Sequence, residues 1–316
     1  MPAAREWADV ARMKPETTRD PSERRRRWAA VLAAMTAMVS GPAGAGPATV
    51  QAYMAQAQAP PDARIPYGAA QAQVVELFRP KGQGPFPVVV LIHGGCFLAE
   101  YEGLKQTSGL AADLAARGYA VWNVEYRRLG EAGAGYPGTF EDVATAVDRI
   151  RTEAATYGLD PSRVVAVGHS AGGHLALWAA SRAKLPRTSP LWRADPLPIE
   201  GVVSLGGIGD LYTHAGVFSG ACGPTLVRVA PPRTYGETSP AALLPTGVPV
   251  TMIHGEFDHV MPPDTGRAYA AQVRAAGDRA EAIEIEGAGH FDPVMPTSEA
   301  WKTVVVPAIV RAFGAR

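Results

Sequence analysis

Between Val164 and Ala180 the chain runs from a β-branched stretch through a tight glycine turn into a helix. Val164, Val165, Ala166 and Val167 read as a buried strand, and Leu175, Leu177 and Trp178 carry a helical pattern. The connection is Gly168-His169-Ser170-Ala171-Gly172-Gly173. Such a G-x-S-x-G turn is sharp enough that only hydrogens fit beside the serine, so its hydroxyl is left protruding at the helix N-terminus. This nucleophile elbow needs a strand in front and a helix behind, and both are written here. A loop serine capping a helix is the bland alternative.

The rest of the chain can be read outward from that turn. With 316 residues, 47% hydrophobic and 19% charged, it suffices for one large domain with extra material. Lys plus Arg and Asp plus Glu number 30 each, which offers nucleic acid no electrostatic footprint. Four arginines, Arg24 to Arg27, precede an apolar stretch from Trp28 to Val39 that is too short to span a bilayer, and Ala43-Gly44-Ala45 follows. That is the order of a secretory signal, so residues 1–45 are expected to direct export to the periplasm or medium, without stable membrane insertion. Residues 46–62, rich in Ala, Gln, Gly and Pro, read as a linker. The catalytic domain is expected over 63–316.

Within it, Ala63 to Tyr67 and Gln73 to Phe78 suggest a hairpin, and Pro87 to Ile92 a strand buried on both faces. Helices are predicted over Thr107 to Arg117, Phe140 to Tyr157, Pro263 to Ala276 and Glu299 to Phe313. They alternate with strands at Tyr119 to Tyr126, Gly201 to Leu205, Val248 to His254 and Glu281 to Ile285. This alternation gives an α/β domain with a mostly parallel sheet. Residues 206–244 lack a clear period and are expected to form a cap over the site.

Serine alone is a poor nucleophile near neutral pH; it needs a base, and the base needs a carboxylate. His290, after glycines at the end of the last strand, supplies the first, and Asp258, on the loop after the strand ending at His254, the second. Glu256 and Asp210 are alternatives for the acid, with Asp258 favoured by its place after the penultimate strand; Asp292 is expected to bond locally. His169, His174, His214 and His259 read as packing or solvated residues. His93-Gly94-Gly95-Cys96 ends its own strand, so the amides around Gly94, Gly95 and Cys96, together with that of Ala171, are candidate donors to an oxyanion.

These segments resemble the α/β-hydrolase superfamily, over about residues 63 to 316. Within it the chain is similar to the esterase branch that includes kynurenine formamidase-like proteins, where an H-G-G-x-W loop is usual; Phe97 stands at the tryptophan position. Hormone-sensitive-lipase-type esterases instead carry H-G-G-G and usually Asp before the serine, positions held here by Cys96 and His169. The resemblance implies acyl transfer from a small-molecule ester or amide, with no metal and no organic cofactor. Phe97, Tyr101, Tyr136, Tyr212, Phe218 and Leu226 are candidate pocket residues. Arg127 and Arg128 read as an exposed basic pair, and Cys96 and Cys222 as free thiols. Two rival readings share the fold: a peptidase of the prolyl-oligopeptidase type, against which the stretch ahead of Ala63 is too short for a propeller, and a non-catalytic binding protein, against which the complete Ser-Asp-His order counts.

Overall fold

The computed structural model describes residues 46–314; the expected signal segment, 1–45, lies outside the described residues. Eight strands form one sheet: β1 (Ala63–Pro66), β2 (Val74–Phe78), β3 (Phe86–Ile92), β4 (Ala120–Val124), β5 (Leu159–His169), β6 (Gly201–Leu205), β7 (Val250–Gly255) and β8 (Ala280–Ile285). Their order is β1-β2-β4-β3-β5-β6-β7-β8. β2 pairs antiparallel with both β1 and β4, and every pairing from β4 to β8 is parallel.

The central strands are rich in Val, Leu and Ile because helices cover both faces, and β3, β4 and β6 are buried almost throughout. In chain order the helices are α1 (Val50–Met54), α2 (Ser108–Ala116), α3 (Gly138–Tyr157), α4 (Ala171–Ser181), α5 (Leu211–Cys222), α6 (Thr225–Val229), α7 (Tyr235–Thr238), α8 (Pro263–Ala275) and α9 (Val306–Ala312). One face of the sheet packs on Phe140, Val147, Leu175 and Trp178; the other packs on Leu110, Leu114, Trp301 and Ile309. The expected helix over 299–313 is present, with its first half wound as a π-helix over Ala300–Val305.

Two expectations change, and one gains detail. Residues 46–62 are not a bare linker: Thr49 caps α1 through its side chain, and Tyr53 is buried at 2% exposure. Residues 206–244, aperiodic in sequence, form the short helices α5, α6 and α7. Finally, Cys96 and Cys222 are not free thiols but form a disulfide, with Cα atoms 5.4 Å apart. The bond ties the loop after β3 to the last residue of α5.

Candidate active site

The site is assembled where the parallel strands end. Ser170 leaves β5 with φ 53° and ψ −119° and begins α4. Its side chain makes no capping hydrogen bond to that helix, which removes the bland reading of a capping serine. The elbow closes because Gly172 has no side chain: a Cβ there would come within 2.2 Å of the Ile92 carbonyl oxygen. The backbone of Ser170 is anchored on the neighbouring strand, its N–H donating to the Leu205 carbonyl at 2.8 Å.

His290 and Asp258 arrive from the loops after β8 and β7. His290 Nδ1 lies 2.7 Å from Asp258 Oδ2, while the N–H groups of Val260 and Met261 donate to Asp258 Oδ1 at 2.9 and 2.7 Å. Burial works against the Asp258 charge, but His290, the Met261 amide and His254 outweigh it and hold the carboxyl below its ordinary range. With an ionised acceptor on Nδ1, that nitrogen carries the imidazole proton and Nε2 is left as a base. The pair packs against Gly206, the residue following β6, where a Cβ would fall 2.9 Å from His290 Nδ1 and 3.0 Å from Asp258 Oδ2. Because Leu205 accepts from Ser170, this turn brings the pair to the serine's neighbourhood. Ser170, His290 and Asp258 are all buried.

On the other side, Gly94 abuts the elbow: a Cβ built on it would lie 3.1 Å from that of Ser170. Gly95, Cys96 and Phe97 follow in the left-handed region, at φ 97°, 51° and 59°. Among the described residues, the N–H groups of Gly95 and Cys96 meet no acceptor, and Ala171, first in α4, has none within its helix. A buried network shapes this loop. His93 Nε2 sits 2.7 Å from Glu125 Oε1, its Nδ1 2.8 Å from the Gly94 carbonyl, and the Tyr126 hydroxyl donates to the His93 carbonyl at 3.0 Å. Burial opposes the Glu125 charge, yet His93, Arg128 and the Tyr126 amide keep its carboxyl below the ordinary range.

The other candidates resolve individually. Glu256 accepts from the Gly287 amide, Asp210 caps α5, and Asp292 bonds locally to the Gly289 amide. Phe97, Phe218 and Leu226 are buried in the core cluster, with Phe97 and Phe218 at a ring separation of 5.7 Å. Tyr101 is half-buried beside Gly95, Tyr136 donates to Glu237, and Tyr212 is exposed against Tyr235. Arg127 and Arg128 are not an exposed pair: Arg127 grips Asp142 with two bonds of 2.7 Å, and Arg128 reaches Glu131 and the Tyr101 carbonyl. Sequence reasoning overlooked Glu125, Tyr53 and the closeness of His169, whose ring centroid is 4.6 Å from that of His290. Only Glu125, an acid directly after a buried strand, left a local trace.

Strand order, elbow and the loops after β3, β7 and β8 define an α/β-hydrolase. The chain belongs to the BD-FAE family, whose model matches residues 75–273. Curated relatives include Esterase LipC of Mycobacterium tuberculosis, 28% identical over 244 residues, covering 72% of this chain and 59% of that protein. Isoprenylcysteine alpha-carbonyl methylesterase ICME of Arabidopsis thaliana is 25% identical over 252 residues, covering 72% of this chain and 56% of its own. The chain thus spans little more than half the length of these relatives. Esterase B from Lactobacillus rhamnosis superposes with a TM-score of 0.71 at 18% identity, covering 93% of this chain and 95% of that one. The propionate-bound esterase of Thermogutta terrifontis gives 0.66 at 22% identity, covering 80% and 94%; at such identities the likeness is one of fold.

Proposed function

We propose that the protein is a serine hydrolase that cleaves a small-molecule carboxylic ester through an acyl-enzyme on Ser170. The observation that carries this reading is the 2.7 Å contact between His290 Nδ1 and Asp258 Oδ2, beside a serine held at positive φ with no capping role. The family assignment and the esterases among its relatives support the ester bond as the target.

In this mechanism His290 Nε2 takes the Ser170 proton as Oγ attacks the carbonyl carbon. The amides of Gly95, Cys96 and Ala171 hold the oxyanion, each contributing roughly 3 kcal/mol in the transition state. His290 then protonates the departing alcohol. Water, activated by the same imidazole, releases the acid and restores the serine. Asp258, kept ionised by its surroundings, stabilises the imidazolium that forms twice per cycle. We further propose that the protein works outside the cytoplasm, as the signal-like order of residues 24–45 suggests; the Cys96–Cys222 bond suits an oxidising compartment.

The test is a panel of p-nitrophenyl esters of increasing acyl length, with N-formylkynurenine included, hydrolysed by the wild type and by Ser170→Ala. The proposal expects ester turnover that falls by about 10³-fold or more in the variant. Equal turnover by both proteins would refute the nucleophile, and preference for the formamide would move the substrate class to amides.

A further inference from the structure

The segment ahead of β1 precedes the residues that the family model covers, and it lies against the catalytic loops. Tyr53, on α1, touches three of them. Its ring stacks on Phe291, the neighbour of His290, with centroids 5.0 Å apart and planes at 24°. The same ring meets the edge of His169, the residue before Ser170, at 5.7 Å. Its hydroxyl donates to Gln106 Oε1 at 3.3 Å, and the Gln106 amide nitrogen lies 3.2 Å from where a Cβ on Gly95 would stand. One buried side chain therefore rests against the neighbours of the nucleophile, the base and the oxyanion loop.

The strap is also fastened to the base from its other end. Asp292 Oδ2 accepts both the Ala48 N–H at 3.0 Å and the Gly289 N–H at 2.8 Å, joining the strap to the residue before His290. Pro47 closes over the same glycine, where a Cβ would come within 2.8 Å of it. Gln56 donates to the Val294 carbonyl at 3.4 Å, beyond the histidine loop. The loop carrying His290 contains Gly287 and Gly289 and has little stiffness of its own. Its position is set by what it leans on.

We propose that residues 46–59 are a positioning strap for the reaction, and that Tyr53 is its positioning residue, holding the His290 loop in register with the elbow and the oxyanion loop. This rests on the Ser170 reading above. Tyr53 touches no reacting atom; it acts through Phe291, His169 and Gln106. Misplacement of a base by an ångström suffices for a loss of about 10²-fold, so a loosened loop is visible mainly in kcat.

The experiment compares wild type, Tyr53→Ala, Tyr53→Phe and Ala48→Pro in the full chain. It measures kcat, KM and the pH profile of kcat/KM on an aryl ester, with urea midpoints alongside. Tyr53→Ala is expected to lower kcat about tenfold or more, to change KM less than about threefold, and to displace the acidic limb of the profile. Tyr53→Phe keeps the stack and should recover most of the rate. Ala48→Pro, at the half-exposed end of the strap, removes the N–H that Asp292 accepts and should cost about threefold in kcat. Unchanged kcat and an unchanged acidic limb in Tyr53→Ala, or in Ala48→Pro where Tyr53→Ala does not fold, would overturn the proposal. A wild type without esterase activity would instead overturn the reading on which it rests.

Discussion

Replacing both cysteines, Cys96→Ser with Cys222→Ser, removes a crosslink between residues 126 positions apart. In the chain-entropy account such a bond lowers the freedom of the unfolded chain by a term in the logarithm of loop length, which here comes to about 5 kcal/mol at 25 °C, at the upper end of the 2–5 kcal/mol range typical of native disulfides. A domain of this size should show a urea m-value of about 3 kcal/mol per molar, so the midpoint should fall by roughly 1.7 M. The m-value should rise as well, because the unfolded chain is released to expand. A thiol titration of the denatured wild type provides the control and should find no free sulfhydryl. The bond also anchors Cys96, one of two non-glycine residues of its loop held at positive φ, to α5. The double variant, assayed well below its midpoint, should therefore lose kcat as the Cys96 amide drifts. A midpoint within about 0.2 M of wild type, with kcat intact, would refute the reasoning.

Two further outcomes follow from the geometry. Gly206→Ala puts a methyl group 2.9 Å from His290 Nδ1 and 3.0 Å from Asp258 Oδ2 at a φ of 56°, and should reduce kcat roughly 10- to 100-fold with little change in KM; wild-type kcat would contradict the placement of the pair. Burial pushes His174 and His254 down to about 4, and burial with the nearby His290 takes His169 to about 3. Their unfolded value is near 6.5, so the unfolded chain binds protons that the folded one refuses. Stability is then full above about pH 6.5 and falls as pH drops, by about 1.4 kcal/mol per unit for each histidine. Urea midpoints measured from pH 7 to pH 5 should decline steeply, and a flat profile would contradict the burial of these rings.

The parts legible in the sequence are those whose cause is local. The elbow declares itself because a β-branched run, small residues and a helical pattern must follow one another within a few positions. β6 is found at its predicted limits, Gly201 to Leu205, because burial on both faces favours a short, mostly apolar β-branched run. Asp258 is distinguishable from Glu256 and Asp210 by its place in the chain; Asp210 caps α5 and Glu256 accepts from the Gly287 amide. What escaped depends on partners far away in sequence. The bond between Cys96 and Cys222 exists because α5 ends beside the loop after β3, and no spacing encodes that meeting. Arg127 is quenched by Asp142, on α3, and not by its chain neighbours. Phe97 and Phe218 stand near loop and helix ends, where composition does not tell which way an aromatic ring turns. Residues 46–62 have linker composition, and Tyr53 with the Ala48 and Gln56 hydrogen bonds anchors them.

The central claim is that Ser170 is a nucleophile activated by His290. The most direct measurement treats the full chain with a fluorophosphonate and locates the adduct by mass spectrometry of its peptides. One equivalent should be found on the peptide carrying Ser170, with labelling abolished in Ser170→Ala and slowed by orders of magnitude in His290→Ala. A folded wild type that remains unlabelled, or an adduct that persists in Ser170→Ala, would contradict it.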